Sequence, residues 1–283
     1  MTDLAALAAE HGLSRVGVRP PLREYLRQTW QRRHFMISLA AARAYARNQS
    51  GGYLGQLWAV ITPSLWACVY LLVFGVVLKT NRGIDNYTGF LVIGVFLFHF
   101  STASISNGSK AISLNQDLIG SLQFPRAMLP LATVTAELFT LMPALLVLIV
   151  VVISSGEPLR PVWLLLPLAV GLQWVFGMGI AMVLARLVSQ FRDFGRLVPF
   201  VLRALMYTSG VFFSLNHYVK DGAAADILKH QPIAIYLELG RSCLLTEVPV
   251  SLSSWLWGIG WAFGLLAVGF VFFWRAEETY ARG

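Results

Sequence analysis

The sequence predicts an all-α integral membrane protein with six transmembrane helices, and three observations predict it. The 283 residues are 57% hydrophobic and 13% charged, against about 25% charged in ordinary soluble domains. The apolar residues are gathered into runs long enough to cross a hydrocarbon layer of ~30 Å, which takes about 20 residues of helix. The net charge of +8 sits mostly beside those runs, which points to anionic lipid and argues against nucleic acid as a partner.

Residues 1–21 read as a flexible cytoplasmic N-terminus. The first 50 residues lack the basic start, apolar core and small-residue cleavage site of a signal peptide. Residues 22–49 alternate arginines with Leu22, Tyr25, Leu26, Trp30, Phe35, Met36 and Leu39, the pattern of an amphipathic helix lying in the membrane interface. As a lipid anchor or as a docking surface for a cytoplasmic protein it would look the same, and the two roles are compatible. Residues 50–283 form the six-helix transmembrane domain. Its spans fall at 58–78, 88–106, 128–153, 162–185, 197–215 and 253–274, and the first serves as the insertion signal.

Residues 107–126 are too polar to lie in lipid, with Asn107, Ser109, Lys110, Ser113, Asn115, Gln116, Asp117 and Gln123. Yet they keep Ile112, Leu114, Leu118, Ile119, Leu122 and Phe124. That spacing fits a short amphipathic helix ended by Pro125, which either presents one face to another protein or rests on the membrane. Residues 216–252 hold two moderately apolar pieces, around Ile227 and over 233–245. Both are too short to span and read as re-entrant or interfacial helices on the outer face.

An even number of spans puts both termini on one side. Fifteen of the 22 Lys and Arg fall on that side and six on the other, with Arg203 inside the fifth span, so both termini are expected in the cytoplasm. Cys68 in the first span and Cys243 in the last long loop are not placed to form a disulfide.

The chain carries no phosphate-binding loop with its lysine, no nucleophile elbow and no paired-carboxylate motif. Its five histidines have no metal-ligand spacing, and His99 in the second span reads as packed or pore-facing. No catalytic chemistry of its own is expected of this chain. A membrane-embedded glycosyl or acyl transferase would need an acidic or histidine site at a membrane face, and none stands out. A passive channel would conduct ions without nucleotide.

Glu137 in the third span and Arg203 in the fifth are costly at membrane depth and must face a partner or a wet cavity. An intramolecular pair is the simpler account, and contact with a passing substrate the sharper one. Aromatic clusters at Phe96 to Phe100, Trp174 and Phe176, Tyr207 to Phe213, and Trp255 to Trp261 fit packing and interfacial belts. Rings also stack on sugar faces, and one sequence does not separate the two uses.

The residues resemble the membrane subunits of ABC-2 type exporters, in particular the polysaccharide branch with Wzm-like and teichoic-acid permeases. Ser50, Leu54, Gly55, Trp58 and Pro63 follow that family's pattern into the first span, before the triplet Val73, Phe74 and Gly75. Asn115, Leu118, Ile119, Phe124, Pro125, Arg126, Leu129 and Pro130 resemble its signature after the second span. Arg192, Asp193, Phe194 and Gly195 resemble its loop after the fourth, and Pro232 with Arg241 its outer region. The chain departs from the pattern at Tyr207, Thr208, Ser209 and Gly210, where many relatives carry Ser-Pro, which puts a local kink in doubt.

The resemblance implies a homodimer with the translocation path between its copies, docked on two copies of a separate ABC ATPase that holds ATP and Mg; this chain itself would hold no cofactor or metal. Asn115, Gln116, Asp117, Leu118, Ile119, Phe124, Pro125 and Arg126 would form the coupling helix, with Arg192 and Asp193 a second cytoplasmic contact. Leu54, Gly55 and Trp58 would shape the cytoplasmic mouth, Tyr70, Phe74, Tyr207, Phe212 and Phe213 would line the path, and residues 216–252 would form the far gate. The cargo would be a polyprenyl-diphosphate-linked polysaccharide, galactan or O-antigen-like, with a drug or lipid as the alternative. The arginine- and alanine-rich composition resembles a high-GC bacterium and, by analogy, a mycobacterial-type galactan exporter of the cytoplasmic membrane.

Overall fold

In the computed structural model, residues 19–49, 57–73, 84–191, 193–214 and 222–281 are described, and every regular element among them is helical. The chain begins with α1 (Leu22–Gln31) and α2 (Arg33–Gln49), broken at Arg32, followed by α3 (Trp58–Tyr70) and α4 (Tyr87–Ser109). A 3-10 turn (Ser113–Asn115) leads into the six-residue α5 (Gln116–Ser121), and then come α6 (Met128–Ser154) and α7 (Leu166–Gln190). The last elements are α8 (Phe194–Thr208), α9 (Ala223–His230), α10 (Pro232–Leu244) and α11 (Leu252–Trp274). Most of the predicted flexible N-terminus lies outside the described residues.

Among the described residues, four helices are long and apolar enough to cross a membrane: α4, α6, α7 with its leading 3-10 turn, and α11. Their bounds differ from the predicted spans in informative places. Asn107, Gly108 and Ser109 form the last turn of α4 rather than the following loop, because Gly108 packs against Ala181 and leaves no room for a wandering chain. The regular part of the predicted fifth span stops at Thr208. Gly210 takes φ 69°, the left-handed conformation that commonly ends helices, so the chain turns here without a proline.

α4 is apolar all round and most of it is buried, which makes it the centre of the bundle, packed on both α6 and α7. α7 in turn makes its widest contact with α11. Much of α6 and α11 stays open, and Leu146, Val150, Leu256 and Val268 are each more than half exposed. An apolar surface this broad does not persist in water and identifies the bilayer as its solvent.

Lipid chains are as apolar as leucine, so close packing and polar contacts hold such helices together. Gly179 and Gly269 bring α7 and α11 into backbone contact: a Cβ on Gly179 would sit 2.6 Å from the carbonyl carbon of Leu265. Between α4 and α7, Gln173 Nε2 donates to the Leu97 carbonyl at 2.9 Å and to Ser101 Oγ at 2.7 Å.

The bundle has two polar ends. One gathers α1, the turn before α6 and the end of α11. The other gathers the starts of α4 and α11 with α9 and α10. At this second end, Glu157 accepts from Asn86 Nδ2 at 3.1 Å and from the Thr246 amide and hydroxyl at 3.0 Å. Glu247 accepts from the amides of Asp85 and Asn86, satisfying donors at the start of α4.

Candidate functional site

The residues with the most connected chemistry lie at the end that holds α1 and the end of α11. Met36, Leu39, Ala40 and Ala44 recur at helical spacing on α2 and pack against Ala132 and Ala136 of α6. Arg43 falls on the same stripe. Its Nη2 donates to Asn115 Oδ1 at 2.8 Å, and its Nη1 donates to Thr133 Oγ1 at 2.6 Å and to the Leu129 carbonyl at 3.3 Å. Burial pulls its pKa down from the usual arginine value, a cost those acceptors offset. Asn115 is fixed in turn by its own donation to the Ala111 carbonyl at 2.7 Å.

Nearer the start of α2, Arg32 donates to the Gln123 carbonyl, and the rings of Phe35 and Phe124 lie 5.5 Å apart. Residues 32–35 therefore sit beside 123–124, while Arg43 sits beside 115. α2 runs alongside the α5 segment in the opposite direction.

This packing sorts the predicted docking residues. Asn115, Leu118, Ile119, Phe124 and Arg126 are half-buried and Pro125 is buried, with Leu118, Ile119 and Phe124 packed on the bundle core. Gln116 and Asp117 face outward. With them stand Leu114, 75% exposed, and Leu122, 50% exposed. Two apolar side chains beside a carboxylate that is unpaired among the described residues make an open amphipathic surface of the kind a protein partner covers.

A second cluster joins the chain ends. Tyr25, 1% exposed, donates through its hydroxyl to Glu277 Oε2 at 2.8 Å and accepts from the Ala127 amide at 3.0 Å. Glu277 Oε1 accepts from the Arg126 amide at 3.0 Å, and the Arg126 guanidinium donates to the Glu277 carbonyl. Burial pushes the Glu277 carboxyl above its ordinary range, opposed by the Arg126 amide, the Tyr25 hydroxyl and the Arg126 charge. Burial and the neighbouring Glu277 push the Tyr25 phenol well above its own. Around this knot, Trp274 Nε1 donates to the Pro20 carbonyl at 2.9 Å and Arg19 lies 4.2 Å over the Trp274 ring.

Of the remaining predicted residues, Leu54, Gly55, Phe74 and Arg192 lie outside the described residues, and Trp58 is exposed. Asp193 is exposed and pairs with Arg196 at 3.6 Å, a solvent-facing contact of little energy. Three path candidates come together: the rings of Tyr70 and Phe212 lie 4.8 Å apart and those of Tyr207 and Phe212 5.9 Å apart. Phe212 is buried beneath Tyr207, which is 55% exposed, and Phe213 is half-buried.

The expected pair between Glu137 and Arg203 does not form. Glu137 is buried and accepts from Asn107 Nδ2 at 2.8 Å, whereas Arg203 points off the exposed side of α8, among Phe200, Val201 and Tyr207. An asparagine one helix away supplies one donor to the carboxylate.

Sequence reasoning passed over Tyr25, Arg43 and Glu277 as site residues. Arg43 had a legible signal, an arginine in register with an apolar helical stripe. Tyr25 and Glu277 stand 252 positions apart and had none.

The pattern of the ABC-2 type transporter family matches residues 37–245. The O-antigen export system permease protein RfbA of Myxococcus xanthus is 29% identical over 210 residues, which cover 74% of this chain and 79% of that protein. The protein of the same name from Klebsiella pneumoniae is 29% identical over 163 residues, 57% of this chain and 62% of its own length. The polysialic acid transport protein KpsM of Escherichia coli is 27% identical over 198 residues, covering 68% and 74%.

Proposed function

Because the chain belongs to the ABC-2 type transporter family of membrane proteins, we propose that it is the transmembrane permease subunit of an ATP-driven polysaccharide exporter in a bacterial cytoplasmic membrane. The observation that carries the cargo class is the likeness, over about two thirds of the chain or more, to two permeases of different polysaccharides, O-antigen and polysialic acid. The cargo we propose is a polyprenyl-diphosphate-linked glycan, galactan or O-antigen-like.

In this reading the chain crosses the membrane six times, with α3 and α8 supplying two crossings beside the four long helices, and both termini lie in the cytoplasm. Two copies assemble over two ATPase subunits, which bind ATP and Mg. The outward surface of Leu114, Gln116, Asp117 and Leu122 seats in the ATPase, with Asp193 as a second contact.

Arg203 supports placing α8 on the translocation path. An arginine on an open face at membrane depth does not face lipid without large cost, so α8 turns that face to a polar channel between two copies. Tyr207, above it on the same side, offers a ring face to passing sugar. Movement of the ATPase pair would push on α5, and Arg43 would pass that push to α2 and α6 together. Only contacts that differ between the two states shift the balance.

The test is co-purification of the tagged chain with the ATPase encoded beside it, followed by ATPase rates with and without polyprenyl-linked glycan. A 2:2 complex whose rate responds to glycan is expected. A complex indifferent to glycan would point to a drug or lipid cargo, and absence of any complex would sink the exporter reading.

A further inference from the structure

A cleft of about 310 Å³ opens at the end opposite α1, between the end of α8, the start of α4 and the helices α9 and α10. That volume lies at the lower end of the range small-molecule sites occupy, about 300–1,000 Å³. Its polar lining includes Ser209, Ser214, Lys229, Glu238, Arg241 and Ser251.

The frame of this cleft is rigid. Arg241, 6% exposed, spends one N–H of each guanidinium nitrogen on backbone: Nε on the Phe90 carbonyl at 3.2 Å, Nη1 on Gly210 at 2.8 Å and Nη2 on Val211 at 2.9 Å. It also lies 3.4 Å over the Phe90 ring. Both Glu247 oxygens, on the rim, are taken by backbone amides. Neither group is free to move to a ligand.

What remains on offer is balanced. Ser209 is 1% exposed, and among the described residues its Oγ, like five other buried side-chain atoms, has no hydrogen-bond partner; such an atom asks for a ligand or water. Lys229 makes no hydrogen bond among the described residues, and Glu238 takes one donor, Ser254 Oγ at 3.2 Å. Two cations, Arg241 and Lys229, face two carboxylates, Glu238 and Glu247. An anion entering here meets Glu238, and a cation meets Lys229. A neutral group that both donates and accepts suits both, donating to the carboxylate and accepting from the ammonium.

We infer that this cleft binds a neutral saccharide through its hydroxyl groups. That the saccharide is the exported glycan rests on the function proposed above; the cleft's preference for a neutral polyhydroxyl ligand rests on its own residues.

The experiment uses the full chain in phosphatidylcholine nanodiscs, whose headgroup carries no hydroxyl. Binding of a neutral galactose tetrasaccharide and of a sialic acid tetrasaccharide is measured by calorimetry. The neutral sugar is expected to bind, and Lys229→Met and Ser209→Ala each to weaken it about fivefold, the loss of one hydrogen bond. Ser209→Ala removes a hydroxyl that bonds nothing among the described residues, so it leaves the fold intact. No binding of the neutral sugar, equal binding of the sialic acid oligomer, or full affinity in both variants overturns the inference. Co-purification with the ATPase separates this from the export reading: a complex without tetrasaccharide binding sinks the cleft alone, and binding without a complex sinks the exporter alone.

Discussion

Arg43 and Asn115 are joined by a 2.8 Å hydrogen bond, and the same guanidinium holds Thr133 at 2.6 Å. One side chain thus ties α2, the turn before α5, and α6. Arg43→Met leaves Asn115 and Thr133 without this donor and is expected to cost about 1–3 kcal/mol of stability. Its more telling effect is on coupling. ATPase activity of the assembled complex should persist while glycan export falls several-fold, read by parallel ATP hydrolysis and transport assays on one preparation.

The exposed side of the α5 segment gives a contrast between neighbours. Leu114→Asp and Asp117→Arg alter the open surface and should weaken capture of the ATPase without changing thermal stability. Leu118→Asp places a charge against the core and should destabilise the chain itself by about 2 kcal/mol or more. Pull-down yield and melting temperature, measured on all three, separate the two classes.

Glu277 makes the junction of the chain ends pH-dependent. Its carboxyl is raised by burial, so the folded state holds its proton to higher pH than the unfolded chain does. The protonated side therefore carries the stability. It is complete below the ordinary carboxylate range and is lost as pH rises through the raised value. Arg126 lowers the group, and Tyr25 stays protonated throughout, since its own pKa is raised. Melting temperature should fall as pH rises above the ordinary carboxylate range, and Glu277→Gln should flatten that slope.

Arg203 tests the placement of α8. Arg203→Leu should insert, fold and bind the ATPase normally, since no ion pair or hydrogen bond is lost among the described residues, yet transport should drop while Arg203→Lys retains part of it. Equal transport by the leucine variant would mean that α8 does not face the path.

At the crossing of α7 and α11, Gly269→Ala drives a methyl into the Gly179 carbonyl. Backbone on both sides cannot yield as a side chain would, so a loss of about 1–3 kcal/mol is expected, visible as a lower melting temperature in detergent.

Much of this fold was readable in residue order. The starts of α6 and α11 fall within one residue of the predicted spans, and helices occupy both pieces expected around Ile227 and after Ile233. The docking segment was legible only in part. Its amphipathic pattern was visible, but Leu118 and Ile119 face the core while Leu114 and Leu122 face out, because the segment packs against the turn at Thr279–Ala281 and the core around Tyr25.

The sequence by itself determined that this chain lives in a bilayer and where its long apolar helices run, since hydropathy and length are local sums over neighbouring residues. Tertiary structure alone decided that Glu137 meets Asn107 rather than Arg203, that Arg43 binds Asn115, and that Tyr25 meets Glu277. A buried polar group must find whichever donor or acceptor packing brings within about 3 Å, and that partner is set by helices far away in the chain.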